Sequence, residues 1–301
     1  MQIAGHNASA STLYVTDATS FVLNTYNSGG TLINHDGAGG NLTPIGVAVS
    51  KSGNVFVTNQ QSPNAVVEEF DATGTDVGGF VAYNAGGLTT PTAITIGPDG
   101  NLYVSDVGNN SVDKFDGATG ASLGTVVPVN ALSSPEGLAF GPDGDLYIID
   151  ANGIEKWDGT TLSTFVLFAN AIGGAYQDLA FGSNGDIYAT NSTLSVVEVF
   201  DGSGNFVMNF GSSQLDQPVG LAFGPDGNLY VASAGNGAGP TIAEFNAGGS
   251  FIQNFVTYNG MDTFVNPQFI AFSAPEPATF AFVAIGLAVI AAARRKRSRA
   301  N

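Results

Sequence analysis

The sequence predicts an all-β fold, a ring of six four-stranded sheets, and three observations predict it. The phrase GPDGNLYV stands at 97–104 and again at 224–231, with the near copy GPDGDLYI at 141–148. A larger unit recurs around it, opening at Pro44, Pro91, Pro135, Tyr176, Pro218 and Pro267, so that successive starts lie 41 to 49 residues apart. A period of that size marks a repeat architecture, and a four-stranded sheet per repeat makes it a β-propeller. Composition agrees: 301 residues with 41 Gly, 21 Phe and 11% charged residues suit short strands joined by tight turns, not a disordered chain.

Each unit reads as four strands. The first alternates with period 2, as in PEGLAF from Pro135, which sets Leu138 and Phe140 on one face and Gly137 and Ala139 on the other. A turn follows, in which Pro98 fixes φ, Asp99 tolerates the next position and Gly100 accepts positive φ. Leu102, Tyr103 and Val104 then form the return strand. A third strand ends on an aromatic followed by Asp or Asn: Phe70-Asp71, Phe115-Asp116, Trp157-Asp158, Phe200-Asp201, Phe245-Asn246. A fourth strand, such as NFVMNF at 205–210, completes the unit.

After Pro267 only a first strand is present, and the N-terminal side holds the missing parts. LYVTD from Leu13 matches the second strand, Tyr26-Asn27 the end of the third and TLINHD from Thr31 the fourth. Five complete units and one stitched from both ends make six blades, and the stitching removes two open sheet edges. The expected organisation is an N-terminal segment 1–12 with no visible signal peptide, a propeller over 13–273 and a C-terminal segment 274–301.

PVGLAFGPDGNLYVAS, at 218–233, resembles the NHL repeat, whose pattern runs roughly P-x-G-h-A-h-G-x-D-G-x-h-Y-V-A-D. The resemblance covers 13–273 and implies the same six-bladed NHL-like propeller. Such repeats carry a basic residue after an Asn pair, where GNNSVDKF has Ser111. That departure fits the charge distribution. Of eight Lys and Arg residues, only Lys51, Lys114 and Lys156 precede residue 294, against 25 Asp and Glu. Displacing counterions from a phosphate backbone needs clustered basic side chains, so nucleic acid is not an expected partner. There is no Cys, which excludes disulfide scaffolds and thiolate chemistry.

The C-terminal segment reads PEPATFAFVAIGLAVIAAARRKRSRAN from Pro275. Its uncharged run 278–293 spans about 24 Å as a helix, short for a hydrocarbon core of roughly 30 Å. Flanking basic residues can snorkel to make up the difference. A transmembrane helix over 278–293 is therefore expected, with the basic tail keeping the C-terminus in the cytoplasm and the propeller on the far side. Pro-Glu-Pro, an apolar segment and an Arg-rich end together resemble the PEP-CTERM sorting signal of exopolysaccharide-producing Gram-negative bacteria. The resemblance implies Pro275, Glu276 and Pro277 as the sorting and processing motif. It makes Arg294, Arg295, Lys296 and Arg297 the membrane stop, with an exosortase-type peptidase as partner. It further implies an inner-membrane-anchored precursor and a mature form at the cell surface or outside the cell. MQIAGHNASAST lacks the basic and apolar regions of a signal peptide, so a start codon upstream of Met1 is expected.

No catalytic motif is present. His6 and His35 are the only histidines and are expected on loops. Most of the Asp residues fall at predicted turns, so turn chemistry accounts for them without structural calcium, the alternative use of such carboxylates. No cofactor is expected. The residue after the opening Pro or its equivalent should lie at one rim of the channel, which gives Ile45, Thr92, Glu136, Gln177, Val219 and Gln268. Glu136, Gln177, Asp178 and Gln268 are the candidate channel-rim binding residues. Gluconolactonase-like propellers, which this fold resembles, place carboxylate-and-amide metal sites in that region. The expected function is a non-enzymatic, exopolysaccharide-associated binding or scaffold protein, with polysaccharide or a surface protein as partner. The alternative is a metal-dependent lactonase or hydrolase with a site at the channel mouth.

Overall fold

The computed structural model describes residues 11–37, 42–60, 65–168, 174–235, 239–257 and 264–273. These form 24 strands in six antiparallel sheets of four. Blades 1 to 5 open with Pro44–Val49, Pro91–Ile96, Leu138–Phe140, Tyr176–Phe181 and Pro218–Phe223. Blade 6 takes its first strand, Pro267–Phe272, from the C-terminal side. Its other three, Leu13–Asp17, Val22–Tyr26 and Leu32–Asp36, come from the N-terminal side. Leu13 pairs with Phe272 and Val15 with Ile270, so the stitched blade expected from the repeat is present. First strands of neighbouring blades touch all the way round, blade 6 against blade 1 included. They therefore surround the axis. His35 lies in an outermost strand rather than a loop, because 31–36 supplies the fourth strand of the stitched blade.

The repeated phrase is the first hairpin. Gly100 N–H donates to Gly97 C=O at 2.9 Å, and Gly100 sits at φ +80°. The Asp of the phrase accepts the hydroxyl of the Tyr four residues on, at 3.1 Å for Tyr103 and Asp99, 2.9 Å for Tyr147 and Asp143, and 3.0 Å for Tyr230 and Asp226. At the end of the third strand the aromatic goes inward and the acid caps the turn. Phe70, Phe115, Phe200 and Phe245 are at most 1% exposed. Asp71, Asp116, Asp158 and Asp201 each accept backbone N–H groups of the following turn. Hydrogen bonds from the next Thr or Asn side chain, with those backbone donors, hold these four carboxyls below the usual range.

Near its start the inner strand slips register in five of the six blades, between Pro44 and Val47, Pro91 and Ile94, Tyr176 and Leu179, Pro218 and Leu221, and Pro267 and Ile270. A hydroxyl fills the gap in four blades and ties each to the next. Thr58 Oγ1 accepts Gly46 N–H and donates to Thr92 C=O. Ser105 serves Ala93 and Glu136 in the same way, Thr190 serves Asp178 and Val219, and Thr16 serves Phe269 and Ile45. Blade 3 has Ile149 at that position. There Gly137 N–H donates directly to Gln177 C=O at 2.8 Å, and the first strand shortens to three residues. Between blades, the second-strand Tyr meets the Phe that ends the next inner strand: Tyr103 with Phe140, Tyr147 with Phe181, Tyr188 with Phe223 and Tyr230 with Phe272. All four pairs are edge-to-face with centroids 4.8–5.1 Å apart.

Among the described residues no helix is long and apolar enough to cross a membrane. The expected span 278–293, the motif at Pro275, Glu276 and Pro277, the basic stop and His6 all lie outside the described residues.

Candidate functional site

The first residues of the six inner strands gather at one end of the propeller. Backbone carbonyls of Ile45, Thr92, Glu136 and Val219 each accept a hydroxyl from the preceding blade, and that of Gln177 accepts Gly137 N–H. These five positions therefore lie in one ring.

Their side chains part company. Glu136 and Gln177 line a pocket of about 290 Å³ between blades 3 and 4, with Asp150, Phe168 and Tyr176. Asp178 is 6% exposed, and its carboxylate accepts Leu179 N–H at 2.9 Å and Leu221 N–H of blade 5 at 3.0 Å. It is a strut between blades. Gln268 turns back within its own blade, donating to Asn266 Oδ1 at 3.0 Å and to Asn266 C=O at 3.3 Å. The structure thus brings Glu136 and Gln177 together and assigns Asp178 and Gln268 to other contacts.

Burial alone pushes the Glu136 carboxyl up to about 7. Burial also pushes Asp178 up to about 7, against the two N–H bonds that favour its ionised form. Asp150 is spent on its surroundings, accepting the N–H groups of Ser133, Asn152 and Gly153 at 2.8–3.0 Å. Tyr176 donates to Glu198 at 2.8 Å, and burial followed by that carboxylate raises the phenol. Phe168 stacks on Tyr176 with centroids 3.7 Å apart. The pocket therefore offers a carboxyl raised by burial, an amide and an aromatic wall.

A metal fits this arrangement poorly. Among the described residues no group of three or more His, Cys, Asp or Glu stands ready to hold an ion. Both Asp178 oxygens already accept backbone donors. Glu136, Gln177, Asp178 and Gln268 do not converge into a ligand set.

Two classes of residue at this end escape motif reading. One is the bridging hydroxyl of Thr16, Thr58, Ser105 and Thr190. The other is the Asp that ends the second strand. Asp106 accepts Thr89 and Thr90 N–H, both at 2.9 Å, and Asp17 accepts Val265 and Asn266 N–H at 2.6 and 2.8 Å. Each pins the segment that leads into its own blade. The signal available was the recurrence of Thr/Ser-Asp/Asn at the end of the second strand.

Residues 273–297 carry a PEP-CTERM protein-sorting motif. The motif implies export and sorting to the cell surface. It contains Pro275, Glu276, Pro277 and the basic run from Arg294 to Arg297. No curated protein matches the chain in sequence. Among solved structures the chain is similar to one in a nidogen/laminin complex, at 15% identity over 89% of this chain and 100% of that chain, TM-score 0.70. A protein of unknown function from Bacteroides caccae is similar at 15% identity over 88% and 99%, TM-score 0.69. A gluconolactonase from Xanthomonas campestris is similar at 18% identity over 75% and 84%, TM-score 0.60. At these identities the likeness is one of fold alone.

Proposed function

We propose that this protein is displayed at the cell surface or in the extracellular matrix as a non-enzymatic binding or scaffold propeller, with polysaccharide or a surface protein as its partner. The single observation that carries this reading is the sorting motif at 273–297 directly after the last inner strand. In this reading 13–273 is the displayed body and 278–293 anchors a precursor in the inner membrane. The basic tail stays in the cytoplasm, and an exosortase-type peptidase processes the chain near Pro275, Glu276 and Pro277. Replacing Arg294, Arg295, Lys296 and Arg297 with Ser should leave the unprocessed precursor as the main species. Intact mass measurement of the surface fraction checks this, and an unchanged mature mass and location overturns it.

A second reading, a metal-dependent lactonase or hydrolase, is favoured by the fold likeness to the Xanthomonas gluconolactonase and by Glu136 and Gln177 in one pocket. It requires a ligand set that the described residues do not assemble. Bound metal in the purified protein together with turnover in a lactone and ester screen would establish it.

A further inference from the structure

On the face that carries the first-hairpin turns, five of the six junctions between blades are closed alike. In those five the turn after the third strand seats a glycine on the preceding blade: Gly120 on Phe80, Gly204 on Phe165, Gly30 on Phe255 and Gly249 on Phe210, all of outermost strands, and Gly74 on Thr25 of a third strand. Blade 3 breaks the pattern. Its turn closes from Asp158 N–H to Thr161 C=O, one residue shorter than Asp71 to Thr75 or Asp201 to Asn205. Gly159 has nothing within 4 Å of where a Cβ would stand.

Two further departures fall on the same junction. Blades 1, 3 and 5 place Phe80, Phe165 and Phe255 immediately before the buried Val81, Val166 and Val256. Each Phe packs on the second-strand aromatic of its own blade, with centroids 4.7–5.1 Å apart. Blade 2 has Val126 before the buried Val127, so Tyr103 lacks that covering ring. Trp157, the only Trp in the chain, stands where the other continuous blades have a fully buried Phe, and it is half-buried. Together these departures leave a pocket of about 340 Å³ lined by Tyr103, Lys114, Val126, Phe140, Trp157 and Gly159.

We infer that this pocket binds an uncharged saccharide unit. Its volume falls at the lower end of the range of small-ligand sites, and its walls combine the rings of Tyr103, Phe140 and Trp157 with the polar side chains of Lys114 and Asp158. An amphipathic indole suits the apolar face of a sugar ring, while polar groups at the mouth meet its hydroxyls. Lys114 Nζ is 2.7 Å from Asp99 and remains partly exposed, so it is a donor whose charge is already balanced. Lys114 lines the pocket already paired with Asp99, and Asp158 lines it beside them, so the local charge is net negative and disfavours an anionic ligand. This site lies at the opposite end of the strands from Glu136, and it does not depend on how the chain is exported.

The sole Trp makes the test direct. The full-length chain is titrated with neutral tetrasaccharides of glucose, galactose and mannose, with tetragalacturonate as the anionic counterpart, while Trp fluorescence and acrylamide quenching are followed. At least one neutral probe should give a saturable blue shift and reduced quenching below about 10 mM, and tetragalacturonate should give neither. Val126→Phe restores the ring that three other blades carry, so it should keep the melting temperature and abolish the shift. Trp157→Phe, followed by calorimetry, should weaken binding about tenfold or more. The proposal is overturned if no neutral probe shifts the fluorescence, if tetragalacturonate binds as well, or if binding survives both substitutions. The last outcome would place the ligand elsewhere and leave the surface-display reading standing.

Discussion

Carboxyl groups set the chemistry of this protein at the level of single residues, because it buries them beside neutral partners. Glu68, Asp113, Glu155, Glu198 and Glu244, one on the third strand of each of blades 1 to 5, are at most 8% exposed. Their hydrogen bonds run to Asn59, Thr125, Thr164, Tyr176 and Asn228, among others. Burial raises Glu68, Asp113 and Glu155 above the ordinary carboxyl range, and it takes Glu136 and Asp178 to about 7. An unfolded carboxyl releases its proton near pH 4, whereas these native groups keep theirs further up the scale. Between about pH 4 and pH 7 the unfolded state binds fewer protons, so raising pH through that window favours unfolding. The melting temperature should therefore be lower at pH 8 than at pH 5, by roughly 5–10 °C. Scanning calorimetry across that range checks this, and Asp178→Asn should flatten part of the slope. A melting temperature that rises over the same range would refute the assignment. The turn acids were legible in the sequence because their donors lie two to four residues on, as Asn205 N–H does for Asp201. Asp178 was not, because Leu221, which fixes its role, is 43 residues away.

The strand is the next scale, and here the inner strands are the demanding ones. Their identity and order follow from period-2 alternation and turn chemistry, which are local, so the hairpins were readable. The register slip near five of the starts was not, because it serves contacts between blades: a hydroxyl and a neighbouring backbone in four of them, and in blade 5 the Asp178 carboxylate on Leu221 N–H. Gly46 shows the constraint. A Cβ there would stand 2.6 Å from Thr92 C=O and 2.8 Å from Ala93 Cα, both backbone atoms that cannot rotate away. Gly46→Ala should cost about 1–3 kcal/mol through displacement of two inner strands. Gly100→Ala is the comparison: at φ +80° with nothing within 4 Å, it carries only local strain, about 1 kcal/mol. Urea unfolding of both variants measures the difference. Equal losses would mean that the close approach between blades is not limiting.

At the scale of the whole molecule, closure rests on one blade assembled from both sides of the chain. The first strand of blade 6 has the ladder from Leu13 to Asp17 as its partner within the sheet. The chain entering that strand is held by Asp17, whose carboxylate takes Val265 and Asn266 N–H. Phe264, 1% exposed, meets Tyr26 edge-on at 6.2 Å. Removing the N-terminal three strands would strip the inner strand of its ladder and uncover Phe264. It would also break the Thr16 hydroxyl link from blade 6 to Ile45 of blade 1. The outermost strands are unpaired on their outer sides and already expose Ile33, Val77, Leu123, Val207 and Ile252. A second, inner edge at the opened ring would add the kind of surface that recruits other chains. A chain lacking residues 1–37 should therefore migrate as dimers and larger species in size-exclusion chromatography with light scattering. It should lose the single cooperative unfolding transition, and supplying 1–37 as a separate peptide should restore part of the monomer. Persistence of a compact monomer with unchanged unfolding would mean that the five continuous blades close without the sixth, and that the stitched sheet is an accessory to the ring.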